Sequence, residues 1–246
     1  MTDALPPSLS ASLTTREPPA SFWSSFLVPL GCVPLALLAV GILFELLSGV
    51  GVNKDAAETV AQFAGSLLIL GLAVYLRQRS PSHRRRLTTA TPPPALRRVL
   101  LAVPIGIAMT VMAVTVIWAG TAIDSGAEKQ LKELSELYVP ASPIWQKVLL
   151  GVALVVLAPL GEELLFRGLV LRALVTRVRF AVAAPISGVL FAASHPDAWL
   201  LWPRAVALAI LGTVLAWTYR RHGYRGSVAA HATVNTIAFA SLLASS

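Results

Sequence analysis

The chain of 246 residues is 56% hydrophobic and only 13% charged, with a mean hydropathy of +0.71, which excludes an ordinary soluble domain. That length accommodates one helical bundle of about seven spans at roughly 20 residues each, with no separate soluble domain. The net charge of +8 does not point to nucleic acid, because in so apolar a chain the placement of charge reports membrane orientation rather than a polyanionic partner.

Residues 1–25 are rich in Pro, Ser, Thr and Ala without sustained periodicity and read as a disordered tail. The tail is long and lacks a basic cluster, unlike a secretory signal. Residues 26–246 read as a single transmembrane domain. The first span is expected from about Phe26 to Leu47, with Pro29 and Pro34 as kinks that bilayer helices tolerate. It carries Cys32, the only cysteine, so no intramolecular disulfide is possible and packing is the expected role. A second span is expected over Thr59–Leu76. A basic stretch follows, with Arg77, Arg79, Arg84, Arg85, Arg86, Arg97 and Arg98 and no acid among them.

The third span is expected over Val99–Ile123. Beyond it, Leu131, Leu134, Leu137 and Tyr138 recur at helical spacing in a mixed-charge segment, which predicts a short helix on the membrane surface. The fourth span begins near Trp145 and is followed by Arg167, Arg172, Arg177 and Arg179. The fifth covers Phe180–Ser194 and leads into a turn, Pro196–Pro203, whose Trp199 and Trp202 suit an interfacial belt. Spans six and seven are expected over Arg204–Tyr219 and Gly226–Leu243, separated by Arg220, Arg221 and Arg225. His83 and His222 fall in basic loops and are expected to be solvated. Seven spans with the N-terminus inside put all three basic clusters on one side. Asp55, Glu58, Asp124, Glu128, Glu133, Glu136 and Asp197 then lie on the other.

The fourth span contains Ala158-Pro-Leu-Gly-Glu-Glu-Leu-Leu-Phe-Arg-Gly168, which puts two adjacent carboxylates at membrane depth. Ionisable groups there are costly and mark a functional site. Glu163 and Arg167 stand at i,i+4 and can pair, while Glu162, about 100° round the helix, is free to face a cavity. His195 ends the fifth span, and His231 and Asn235 share a face of the seventh at i,i+4. Counting residues from the basic boundary at 1.5 Å per residue puts the glutamates at roughly 13–24 Å, His195 at about 24 Å and His231 at roughly 9–15 Å. Convergence therefore requires a bent or broken helix, and Pro185 and Gly188 are the expected place.

Two schemes fit these groups. In one, Glu162, aided by His195, takes a proton from water as it attacks a carbonyl. Glu163 is held by Arg167, and His231 with Asn235 donates to the developing oxyanion. In the other, the histidines and a glutamate bind zinc, although the H-E-x-x-H arrangement is missing. A proton-coupled carrier would show internal repeats, and the sequence has none.

The ordered set Glu162-Glu163-Leu-Leu-Phe-Arg167, Phe191-Ala-Ala-Ser-His195 and His231-Ala-Thr-Val-Asn235 resembles the CPBP (Abi) family of intramembrane endopeptidases, which includes the type II CAAX prenyl endopeptidase. That family shows E-E-x-x-x-R, F-x-x-x-H and H-x-x-x-N or D on three hydrophobic segments, and the likeness covers roughly Leu149–Phe239 within a core at about 145–243. It implies an integral protein of a prokaryotic cell membrane acting on a membrane-associated peptide or protein, without nucleic acid. It further implies that Glu162 activates water with His195 as its partner, Glu163 and Arg167 support them, and His231 with Asn235 donates to the oxyanion. The expected mechanism is glutamate-dependent with no cofactor. The alternatives are a zinc-dependent version and a catalytically silent binding or immunity protein.

Overall fold

The computed structural model describes residues 22–79, 95–137 and 143–244, and all regular structure among them is helical. In chain order the helices are α1 (Phe22–Gly49), α2 (Lys54–Arg79), α3 (Ala95–Ile123), α4 (Ser125–Leu137), α5 (Ile144–Leu174), α6 (Phe180–Ala193), α7 (Pro196–Leu200) and α8 (Trp202–Ala244). Five of them, α1, α2, α3, α5 and α8, are long and apolar enough to cross a membrane. The chain is thus a helical membrane bundle.

Several boundaries differ from the sequence expectation. α1 starts at Phe22, so residues 22–25 are helical rather than part of the tail; the rest of the expected tail lies outside the described residues. Arg84, Arg85, Arg86 and His83 also lie outside them, whereas Arg77 and Arg79 close α2 and Arg97 and Arg98 belong to α3. The expected spans six and seven are present as two helices that follow one another directly, 202–222 and 224–244, together numbered α8. Their separation is confined to Gly223, whose φ of 72° lies where side chains are strained and glycine is not.

The chain reverses at that glycine, as three approaches to α3 demonstrate. Gly120 of α3 lies against Trp202 and Pro203, Gly106 against Ala230 and Thr233, and Arg98 beside Gly223. The arms 202–222 and 224–244 therefore run in opposite directions along α3, and α8 packs against α3 more than against any other helix. The expected number of seven passes is reached only when α6 and both arms of α8 are counted. His222, expected in a solvated loop, is buried at 9% exposure because the reversal folds it against Gly226.

α6 runs as one helix through Pro185, so the chain is not broken there. Gly188 serves contact instead: it meets Gly212, whose added Cβ would stand 2.7 Å from the Gly188 Cα. Backbone approach of this kind is what packs helices in a lipid solvent, where apolar burial alone gives little preference. The irregularity lies in α5. That helix is α-helical over Ile144–Gly151, Ala158–Glu162 and Leu171–Leu174 but π-helical over Val152–Leu157 and Glu163–Val170. Every residue of Glu163–Val170 is buried, and the main apolar cluster gathers round it, with Cys32 and Val33 of α1, Ala73 of α2, Phe191 of α6 and Leu211 and Leu215 of α8.

Basic residues collect at one end of the bundle. The Arg177 guanidinium lies 5.0 Å from the Phe22 ring centre and that of Arg220 lies 4.4 Å from Phe180. At the other end Arg204 pairs with Asp197, and Trp199 is exposed, as an interfacial residue should be. α4 begins there too, and Asp124 caps it: Oδ1 accepts the N–H of Gly126 at 2.9 Å and of Ala127 at 3.3 Å. Its Oδ2 accepts from the Trp202 indole at 2.8 Å, tying α4 to the start of α8.

The indole bond first, then the backbone bonds, hold the Asp124 carboxyl below its ordinary pKa. With the folded-state value depressed, the cap is present above the ordinary aspartate range and is lost as pH falls through the folded-state titration. Amide exchange at the start of α4, normalised to the intrinsic rate at each pH, should therefore accelerate as pH falls through that titration. In Asp124→Ala it should be fast at neutral pH with that dependence gone. A variant that kept the same pH dependence would assign it to another group.

Candidate functional site

The fully buried segment Glu163–Val170 sets the site's centre. Glu163 and Arg167, both 0% exposed, pair as their i,i+4 spacing predicts, with Arg167 Nη1 donating to Glu163 Oε1 at 2.9 Å. The other guanidinium nitrogen, Nη2, donates to the Gly212 carbonyl at 2.9 Å, so the cation ties α5 to the first arm of α8. Its face also lies 4.6 Å from the Phe191 ring centre, a cation–π contact with α6. A guanidinium withdrawn from water needs this many partners, because desolvation is offset only by good geometry and satisfied donors.

His231 approaches from the second arm. Its Nδ1 is 3.1 Å from Glu163 Oε1, the oxygen that Arg167 already uses. Its Nε2 stands 3.8 Å from Glu162 Oε2. A carboxylate only accepts, so in the neutral ring Nδ1 carries the proton and Nε2 is the basic nitrogen facing Glu162. The Glu162 side chain is 17% exposed, yet its Oε2 is a buried atom without a partner among the described residues. Glu163 Oε2 is likewise unpartnered, and Ser227 is within electrostatic reach of that carboxylate.

His195 sits at the end of α6, partly exposed. Its Nδ1 is 2.8 Å from the Phe191 carbonyl and 3.3 Å from Ser194 Oγ. The Phe191 carbonyl fixes the neutral tautomer of His195 as the Glu163 carboxylate fixes that of His231, leaving Nε2 basic. Both imidazoles flank one ring, with the Phe191 centroid 4.8 Å from His195 and 5.6 Å from His231. Phe191 thus spaces the two histidines and also meets Arg167. The sequence marks it as the first residue of F-x-x-x-H, but nothing in that spacing reveals that it touches all three groups.

Glu162, Glu163, Arg167 and His231 are therefore brought together in one connected group, and His195 joins it across Phe191. Asn235 stands apart from the expected arrangement. Its Nδ2 donates to the Leu154 carbonyl at 2.8 Å, inside the first π segment, rather than sharing a point with His231. Two further partners were not singled out from the sequence. One is the Gly212 carbonyl. The other is Tyr224, whose hydroxyl donates to the Leu160 carbonyl at 2.8 Å, two residues before Glu162. Neither has a local signal, since each is defined only by the helix packed opposite. Among the described residues no three His, Cys, Asp or Glu side chains form a group that could hold a metal ion.

Breaking the buried pair from one side strands the other charge. Arg167→Ala should lower stability by about 3–5 kcal/mol, read as a shifted midpoint when bicelle-held protein is titrated with sodium dodecyl sulfate. Glu163→Gln, which keeps an acceptor for both donors, should cost less. Equal, small losses in both would mean the pair is replaceable by packing.

No curated protein and no solved structure matches the chain. A family model does: type II CAAX prenyl endopeptidase Rce1-like matches residues 143–237. That stretch contains Glu162, Glu163, Arg167, His195, His231 and Asn235 and covers α5, α6, α7 and most of α8. The match falls on every residue of the candidate site, and over that stretch the chain is similar to the CAAX protease family.

Proposed function

We propose that the protein is an intramembrane endopeptidase that hydrolyses a peptide bond of a membrane-associated peptide or protein with water activated by Glu162. The observation that carries this reading is Glu162 Oε2: buried, unpartnered and 3.8 Å from the basic Nε2 of His231. An orphaned acceptor beside a second acceptor is a place for a water, which has two protons to give. A water admitted between them as the surrounding side chains part could donate to both at ordinary hydrogen-bond length.

In this scheme Glu162 takes a proton as the water oxygen bonds to the scissile carbonyl carbon, and the proton later leaves on the departing amine. Glu163 stays ionised between Arg167 and His231 and holds both in place. His231 helps to orient the water, and His195, with Nε2 free on the far edge of Phe191, faces the substrate. That division differs from the expectation that His195 is the direct partner of Glu162, and it follows from which imidazole stands nearer the carboxylate. The scheme requires no metal, and the acid, base and electrostatic groups come from this chain. The basic end of the bundle supports an orientation with the N-terminus inside, on the cytoplasmic side of a prokaryotic cell membrane.

Cleavage of an internally quenched prenylated CAAX peptide in proteoliposomes tests the reading. Glu162→Gln should lower kcat by about a hundredfold or more, the scale on which general-base groups contribute, while leaving the unfolding midpoint near that of the wild type. Equal cleavage by both proteins would discard the mechanism, and cleavage by neither would favour the silent binding protein. Turnover should also survive exhaustive chelation. Loss of activity on chelation, restored by zinc alone, would replace the metal-free scheme.

A further inference from the structure

Tyr224, Ser227 and His231 stand at i, i+3 and i+7 on the second arm of α8 and so share one face. That face meets α5 where the two glutamates are. His231 bonds Glu163, Ser227 is within electrostatic reach of the same carboxylate, and the Tyr224 hydroxyl donates to the Leu160 carbonyl at 2.8 Å. Gly223 makes the first of these contacts possible: its positive φ reverses the chain, so that Tyr224 opens the returning arm beside α5.

The Leu160 carbonyl belongs to a divided rung of the α5 ladder. The N–H of Glu163 is shared between the carbonyls of Leu160 and Pro159, three and four residues back, and the second π stretch begins at that same Glu163. A carbonyl oxygen has two lone pairs, so the Leu160 oxygen accepts from Tyr224 as well. The next residue, Gly161, rests on backbone: an added Cβ would stand 3.0 Å from the Leu70 nitrogen and 3.1 Å from its Cα. The turn that carries Glu162 is thus gripped by the α2 backbone and by the Tyr224 hydroxyl. We propose that Tyr224 is a positioning residue: its hydroxyl holds the Leu160 carbonyl and so fixes the turn that sets Glu162 against His231. The claim rests on the reading of Glu162 as the water-activating group. Tyr224 and His231 lie two turns apart on one arm, so the bond ties the Glu162 turn to the helix that carries its imidazole. The contact between Glu163 and His231 joins two side chains that turn about their own bonds, whereas Tyr224 grips the backbone itself. Its proton is committed to that carbonyl, so Tyr224 acts through the turn and not on the substrate.

Tyr224→Phe removes the hydroxyl and keeps the ring, which packs against the main apolar cluster. Tyr75→Phe, which takes a hydroxyl from a half-exposed ring on α2, is the control. The readouts in bicelles are the Leu160 carbonyl carbon shift and the His231 Nδ1 proton resonance by NMR, the unfolding midpoint, and kcat and KM for the prenylated CAAX peptide. In Tyr224→Phe the carbonyl shift should move upfield as its bond is lost. The His231 proton should move upfield as the Glu163 contact loosens. With KM unchanged, kcat should fall by about tenfold to a hundredfold, up to the cost of a misplacement near 1 Å. Tyr75→Phe should leave every readout at its wild-type value.

An unchanged Leu160 shift in Tyr224→Phe would overturn the proposal, and so would a moved shift with the His231 proton and kcat left as in the wild type. A raised KM at constant kcat would assign the hydroxyl to substrate binding instead. A fall in activity that only followed the folded fraction, or an equal fall in Tyr75→Phe, would reduce Tyr224 to general packing. If the wild type does not cleave the peptide, the functional reading fails separately. The two resonances then decide: movement of both in Tyr224→Phe upholds the positioning role, and movement of the carbonyl alone or of neither refutes it.

Discussion

One carboxylate oxygen, Glu163 Oε1, organises the interior of this protein. It accepts from Arg167 at 2.9 Å and from His231 at 3.1 Å, and through them it joins the buried centre of α5 to both arms of α8. Arg167 reaches on to the Gly212 carbonyl and lies over Phe191, so α6 is drawn into the same group. An ion pair in an apolar interior is a poor source of stability by itself, because each charge loses its hydration. It is a strong source of specificity, since any packing that separated these partners would leave a bare charge among hydrocarbon. The helices carrying His195 and His231 are thereby held against the helix carrying the two glutamates.

That arrangement underlies the role proposed for Glu162. Arg167 Nη1 and His231 Nδ1 both bond Glu163, which leaves the adjacent carboxylate with an unpartnered oxygen and the basic edge of an imidazole beside it. A site that satisfies one acid and leaves its neighbour unsatisfied creates two groups with different roles from two identical residues. Phe191 contributes by shape, in contact with both imidazoles while the guanidinium lies over its ring.

Bringing these groups to one depth is a geometric problem that a straight α-helix does not solve. Residue counts alone place His231 nearer the basic boundary than His195. The structure resolves the mismatch in two irregular places: the π-helical stretches of α5, which change its rotation and register, and the reversal at Gly223, which returns the chain along α3. Local distortions of this kind persist in membranes only where their freed backbone groups find other partners. The Leu154 and Leu160 carbonyls have theirs in Asn235 and Tyr224. The first two helices hold none of the site residues and serve as wall, with α1 packed on Glu163–Val170 and the backbone of Leu70 in α2 meeting Gly161.

The amino-acid sequence by itself determined that the chain is a helical membrane bundle, because some twenty apolar residues in succession have few other ways to satisfy their backbone. It also determined that Glu163 pairs with Arg167, since both lie within one turn of the same helix and periodicity is a local property. The candidate residues were legible because charge and imidazole are conspicuous in apolar segments. Only the tertiary structure decided which imidazole faces which carboxylate, that Asn235 is bonded to a backbone carbonyl, that His222 is buried and that Pro185 causes no break. Each of those depends on the helix packed opposite, and a contact between residues 68 or 81 positions apart leaves no periodic trace in either segment. The π register stayed hidden for a related reason. The partner of the Leu154 carbonyl within it lies 81 positions away, on the helix packed opposite.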